Sequence, residues 1–296
     1  MMIRSLTESM TDVYKFVTDS NLFKKFEVND LLFVEYKCLF AEDKIAYWTS
    51  SNYFVYVLGG RKRYFCGNNE YIFEPGEAIF IKRGVYVAER FDNEDFCALV
   101  IFIPDDFIES VTRKYARVLS GKKAPLERNS IIRMKMDEAF SSYFRSVLSY
   151  FPKAASPPVE LLVIKFEELI LNILTSPGNE ELSAYLLSIK KNDKVCIRET
   201  MEKYFMHPLS LNEYARLCAR SLSSFKTDFF DTFNTTPGKW LIAKRLEHAR
   251  WLIETTGASV GEVAATVGFR NTSHFVRIFK DTYGKPPLQY RQLVQV

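Results

Sequence analysis

Histidine is scarce in this sequence. The 296 residues contain three, His207, His248 and His274, and none lies in the first two thirds of the chain. A histidine-based metal centre or a Ser-His or Cys-His catalytic pair therefore has nothing to build on there. The five cysteines (Cys38, Cys66, Cys97, Cys196 and Cys218) are scattered, with no CxxC pair. That pattern excludes a zinc ribbon or a thioredoxin-like motif, and it predicts reduced, small, buried side chains in a cytoplasmic protein. No apolar run reaches the roughly 18 residues of a membrane span. The opening MMIRSLTESMTDVYKF has no apolar centre of a secretory leader. GxGxxG, phosphate-loop, GxSxG and HExxH patterns are all missing, so the common nucleotide, hydrolase and metalloprotease chemistries have no signature. No metal and no cofactor are expected.

Aromatic residues are plentiful, with 25 Phe and 16 Tyr, which is ample material for a packed core. The net charge of +4 is mild but uneven. From Asp193 to Val296 there are 15 Lys and Arg against 10 Asp and Glu, and the remainder has 25 against 26. The positive excess sits in the last third, where a phosphate-binding surface would need it.

Residues 1–30 read as a helix or an irregular lead-in. From Leu31 to Pro104 short runs rich in Val, Ile, Phe and Tyr alternate with turn residues such as Gly59-Gly60, Pro75-Gly76 and Gly84, the pattern of a small barrel or sandwich. After Pro104 helical periods take over, predicting helices from Asp105 to about Leu119, and over 131–150, 159–174 and 180–190. GKKAPLERNS (121–130) reads as a loop and IKKND (189–193) as a polar joint. Beyond Lys194 the expected helices are 194–205, 210–218, 222–233, 237–255, 259–267, 271–282 and 286–293.

The last hundred residues contain an internal repeat. Ser210, Leu211, Glu213 and Ala215 recur 49 positions later as Ser259, Val260, Glu262 and Ala264. Phe225, Phe229, Asp231, Thr232, Phe233, Pro237 and Trp240 recur 50 positions later as Phe275, Phe279, Asp281, Thr282, Tyr283, Pro287 and Tyr290. The second copy thus has one extra residue in its turn, near Gly268-Phe269. Each copy opens on a capping box, Ser followed three residues later by Glu. A small Ala then suits a close helix crossing, and Phe residues at i and i+4 pack one helix on the other. The opposite face of each second helix stays polar: Ser223, Ser224, Lys226 and Thr227 in copy one, Thr272, Ser273 and Arg277 in copy two, with Val276 the one apolar member. A helix that reads the major groove needs such a face.

On Arg245-Leu246, Ala249, Leu252, Ser259-Val260, Glu262-Val263-Ala264, Gly268-Phe269, Ser273, Phe275, Arg277, Phe279-Lys280, Gly284, Pro286-Pro287 and Tyr290-Arg291, this region resembles the AraC/XylS family of bacterial transcription regulators. The resemblance implies two helix-turn-helix units on either side of one linker helix, here Pro237 to about Thr255, facing successive major grooves about 34 Å apart. Carried over position by position, it implies base contacts from Ser223, Lys226 and Thr227 in the first unit and from Thr272, Ser273 and Arg277 in the second. Arg277 has the chemistry for guanine O6/N7; otherwise it pairs with a phosphate or with Asp281. Phosphate contacts fall to Lys239, Arg270, His274 and Lys285. His248 is expected to pack within the linker helix.

The stretch FEPGEAIFIKRGVYV (73–87) resembles the turn and strand of the cupin-like barrels found ahead of such DNA-binding units. The run from there through Pro157-Pro158 and Lys165-Phe166-Glu167-Glu168-Leu169 resembles activators of type III secretion genes. The implied class is α+β: a cupin-like β-barrel (1–110), a helical dimerisation and linker region (111–192), and an all-α double helix-turn-helix domain (193–296). Three roles stay open for the first 190 residues: sensing a small effector molecule, forming a homodimer through 131–190, or binding a regulatory protein. The sub-family resemblance implies the last. Lys37, Arg61, Lys62, Arg63, Lys82 and Arg83 read as solvated strand edges and turns, with contact to an acidic ligand or partner as the alternative. The expected function is sequence-specific activation of transcription from double-stranded promoter DNA with RNA polymerase, without an enzymatic activity and without a membrane. An enzyme with a DNA-binding tail and an architectural DNA binder are the competing readings.

Overall fold

The computed structural model describes residues 10–37, 44–66, 69–92, 94–116, 129–153, 156–189 and 196–294. The chain divides into two compact units, one of residues 11–193 and one of residues 194–296 together with Met10. Cys38, most of the loop expected at 121–130 and most of the joint at 189–193 lie outside the described residues.

The first unit holds eleven strands among the described residues: β1 (Thr11–Asp12), β2 (Lys24–Val28), β3 (Leu31–Lys37), β4 (Lys44–Thr49), β5 (Tyr53–Gly59), β6 (Lys62–Cys66), β7 (Asn69–Phe73), β8 (Ala78–Ile81), β9 (Gly84–Arg90), β10 (Cys97–Phe102) and β11 (Ile131–Arg133). With them go helices α1 (Val13–Asp19), α2 (Asp105–Lys114), α3 (Glu138–Leu148), α4 (Val159–Thr175) and α5 (Glu180–Ser188). The strands form two sheets, ordered β1-β4-β9-β6-β7 and β11-β8-β5-β10-β3-β2. The pairing is antiparallel except for β1 with β4. In place of the expected barrel the strands make two open sheets, and no described strand pair closes a ring.

The six-stranded sheet is apolar on both faces. Leu32, Val34, Val55, Val57, Ile79, Ile81, Ala98 and Val100 face the core shared with the other sheet. Their neighbours Leu31, Phe33, Phe54, Phe80, Leu99 and Ile101 join a second core with Phe140, Phe144, Phe166, Ile170 and Leu186 from the helices. A strand buried on both sides has no polar face, so its sequence reads as a continuous apolar run, not as an alternation. Ring stacking marks the seam between sheet and helices: Phe33 on Phe166 at 4.0 Å and Tyr56 on Phe144 at 4.2 Å.

Several expectations change here. The helix expected over 131–150 is shorter, because Ile131–Arg133 pair with Ile79–Ile81 as an edge strand. The helix begins only after Asp137, whose carboxylate accepts from Phe140 N–H as an N-cap. Two β-branched isoleucines suited to a sheet edge outweigh the helical period there. The lead-in resolves into α1, capped by Asp12, and β2. Lys62, expected at a solvated edge, is only 5% exposed. Its ammonium lies 5.0 Å from the Phe96 ring and 5.2 Å from that of Tyr36, where aromatic faces favour a cation. Cys218 is buried as expected, but Cys196 is exposed. No helix among the described residues is long and apolar enough to cross a membrane.

Candidate nucleic-acid interface

The second unit consists of seven helices among the described residues: α6 (Ile197–Tyr204), α7 (Leu211–Leu217), α8 (Leu222–Phe233), α9 (Pro237–Thr255), α10 (Val260–Thr266), α11 (Thr272–Tyr283) and α12 (Pro287–Val294). Local chemistry sets each boundary. Ser210 accepts from Glu213 N–H while the Glu213 carboxylate accepts from Ser210 N–H, and Ser259 and Glu262 repeat the arrangement. These bonds hold the Glu262 carboxyl below its usual range. Both capping boxes expected from the sequence are therefore formed. Ser221 caps α8 and Asn271 caps α11. Asn234 and Gly284 end those helices in the left-handed region.

The repeat is also a repeat of packing. Phe225 meets Phe229 at 5.6 Å, and Phe275 meets Phe279 at 5.7 Å. Phe229 then contacts Phe233 at 4.5 Å and Trp240 at 5.9 Å; Phe279 contacts Tyr283 at 4.7 Å and Tyr290 at 5.5 Å. This aromatic underside buries Phe225, Phe229, Phe275 and Phe279 completely. Helical geometry then sends the residues between them outward.

All six base-reading candidates are exposed: Ser223, Lys226 and Thr227 on α8, and Thr272, Ser273 and Arg277 on α11. Each group of three therefore lies on the open face of one capped helix. The hydroxyls of the first helix are partly engaged: Thr227 Oγ1 donates to the Ser223 carbonyl at 3.3 Å, and the Ser221 and Ser223 hydroxyls lie 3.1 Å apart. Arg277 makes no ion pair among the described residues, with Asp281 or otherwise. Lys239, Lys285 and His274 are exposed near helix starts. Arg270, also exposed, spends one N–H group on the Pro208 carbonyl. His248 packs as expected, 5.3 Å from the Trp251 ring and 6.2 Å from Phe205.

Two features went unread in the sequence. Burial, with the Arg245 charge beside it, pushes His207 down to about 4. Arg245 itself donates to three backbone carbonyls. The signal was present: Leu241, Arg245, Ala249 and Ile253 are spaced by four along α9, so the arginine stands in an apolar stripe.

Residues 52–185 match the family described as the ExsA N-terminal regulatory domain, and residues 214–293 match a helix-turn-helix domain family of AraC type. Together the two matches cover more than two thirds of the chain. The chain belongs to the AraC/XylS family of transcription regulators. Among its relatives is the HTH-type transcriptional regulator ExsA of Pseudomonas aeruginosa, 23% identical over 219 residues, covering 74% of this chain and 78% of that protein. Another is the thermoregulatory protein LcrF of Yersinia pestis, 24% identical over 239 residues, covering 79% and 87%. Of solved structures, an apo ToxT point variant from Vibrio cholerae aligns over 92% of this chain and all of its own, at 13% identity and a TM-score of 0.44. The chain is thus a DNA-binding transcription regulator with an N-terminal regulatory domain, and its second unit is the pair of helix-turn-helix units.

Proposed function

We propose that this regulator activates transcription by placing α8 and α11 in successive major grooves of promoter DNA, and that a partner protein controls it through residues 11–193. The observation that carries the first part is the matched pair of capped helices, each with a buried aromatic underside and an exposed polar face. In this reading Arg277 gives the second half-site its firm base preference, by two parallel N–H bonds to guanine. Lys226 and the short hydroxyls of Ser223 and Thr227 read more loosely, and shape contributes more to the first half-site. Thr272 and Ser273 contact base edges beside Arg277, while Lys239, Lys285, His274 and the remaining N–H groups of Arg270 hold phosphates. Relatives named as transcriptional activators, such as VirF of Yersinia enterocolitica, support the positive sign of regulation. The regulator acts by binding alone, with RNA polymerase as its further partner, in the cytoplasm where the DNA is.

Control by a protein draws support from the packing of the first unit. The cavity lined by Tyr36, Tyr47, Tyr53, Tyr64 and Phe102 is small, about 40 Å³, and partly open to solvent. Meanwhile α4 leaves Val159, Leu161 and Ile164 at 54%, 36% and 56% exposed, apolar side chains near its start on which a second copy or a regulator can pack. The deciding experiment is selection of bound fragments from a random DNA pool by the full chain. A regulator of this kind enriches one bipartite site and prefers it by about 10³-fold or more over random DNA. Enrichment of no site, with a ratio near one, would make the protein an architectural binder.

A further inference from the structure

The chain connects the two reading helices through α9, and a helix fixes an axis without fixing the turns at its ends. The structure adds a second tie. Arg245, midway along α9, donates from Nε to the Phe205 carbonyl at 2.7 Å and from Nη2 to the His207 carbonyl at 2.7 Å. Both carbonyls belong to the segment that leads from α6 into α7, at the entrance of the first unit. From Nη1 it donates to the Gly268 carbonyl at 2.9 Å, in the turn of the second unit. The Tyr214 hydroxyl stands 3.4 Å from Nη2 and itself donates to the Tyr204 and His207 carbonyls. One planar cation thus bonds both units at once. A second guanidinium spans the same seam, Arg270 to the Pro208 carbonyl.

The seam is tight. A Cβ on Gly268 would overlap the Met206 carbonyl oxygen and stand 2.9 Å from its carbon and 3.2 Å from Arg245 Cζ. No carboxylate among the described residues pairs with Arg245, so its charge is held by three carbonyl dipoles and the Tyr214 hydroxyl. The fork geometry of guanidinium matters here, because three acceptors in three directions require donors in a fixed plane. An ammonium at the same place reaches one carbonyl well and leaves the others.

We propose that Arg245 is a positioning residue that sets the offset between the reading faces of α8 and α11, and so the half-site spacing that the regulator accepts. It acts through the turn of the second unit and does not touch DNA. The proposal rests on the reading that the two helices enter successive grooves. Changing the spacing by one base pair moves one half-site by about 3.4 Å and turns it by about 34° around the duplex. A rigid pair of readers cannot follow that change, whereas a hinged pair can.

The test uses the full chain and the site selected from a random pool, rebuilt with the two halves moved one base pair closer, one farther and two farther. Wild type, Arg245→Gln and Arg245→Lys are titrated on each by gel shift, with melting curves to show that each variant is folded. Wild type is expected to lose about tenfold or more in affinity for each one-pair change, comparable to a base mismatch. Arg245→Gln should bind the original spacing several-fold more weakly yet vary by no more than about threefold across the series. Arg245→Lys should fall between them. If a variant drops uniformly at every spacing and keeps the wild-type profile, Arg245 is only a fold staple and the proposal is wrong. Should Arg245→Gln melt below the assay temperature, Arg245→Lys decides by the same criterion. Failure of the pool to yield any bipartite site would instead count against the groove reading itself, before any variant is made.

Discussion

The two helix-turn-helix copies share their caps, their aromatic underside and their helix lengths, and differ in their turns and in what they offer to DNA. The first turn has four residues (218–221) and passes through the left-handed region at Ala219, with φ 54°. The second has five (267–271) and passes through it at Gly268, with φ 84°. Arg220 N–H bonds to the Ala215 carbonyl and Phe269 N–H to that of Ala264, both at 2.9 Å. The copies therefore stay in step through Phe269, and the added residue is Arg270. The insertion supplies one of the two guanidinium groups that bridge the units. The repeat makes two similar helix pairs, and the second turn adds Arg270 and the Gly268 carbonyl to the bonds between them.

The largest effect that would sharpen this contrast is Gly268→Ala. A methyl group in a left-handed position and against the Met206 carbonyl should cost about 3 kcal/mol, measured by urea unfolding. A loss below about 1 kcal/mol would mean that the loops are not in contact as described. Acid should separate the copies next. His207 belongs to the first copy, and Thr256 takes its place in the second. With folded His207 near 4, the unfolded chain takes up a proton below pH ~6.5 that the folded unit refuses. Stability is then full above that pH, falls by about 3 kcal/mol as the pH drops from 6.5 toward 4, and falls no further on this account below it. His207→Gln should flatten that slope in unfolding titrations; an unchanged slope places its cause elsewhere.

At the DNA surface, Arg277→Ala should cost about 1–3 kcal/mol of affinity and relax the choice at one base pair, whereas Thr227→Ala, its counterpart in the first copy, should cost less than about 1 kcal/mol. Equal losses would erase the difference between the readers. Ser210→Ala and Ser259→Ala should each remove about 1 kcal/mol of stability, equally, since the boxes are alike. The smallest change runs the other way: Ala219→Gly relieves a left-handed alanine and should raise stability by about 0.5 kcal/mol or leave it level. A clear loss would show that the first turn depends on its methyl group.

The second unit was legible because its signals are local. Serine caps, an Asn and a Gly at helix ends and paired phenylalanines act within a few residues, and α8 and α9 begin and end where the sequence placed them. In the first unit the deciding contacts are long-range. Ile131–Arg133 became a strand only because β8 offered an open edge some fifty residues earlier. Leu99 and Ile101 gave no alternation because helices cover their side of the sheet. Lys62 looked like an edge charge because nothing nearby in sequence announces Tyr36 and Phe96 around it. The exposed reading faces followed from period and capping, but the Arg245 contacts did not, since carbonyl partners leave no trace in residue types.

The tie between the units ends on main-chain oxygens of Phe205, His207 and Gly268, which every amino acid carries. The loop from 205 to 208 can therefore exchange side chains without loosening it, and comparing sequences for paired changes would not find it. Its heritable part is confined to one side: the arginine that donates, and the glycine that lets the turn come close enough to accept.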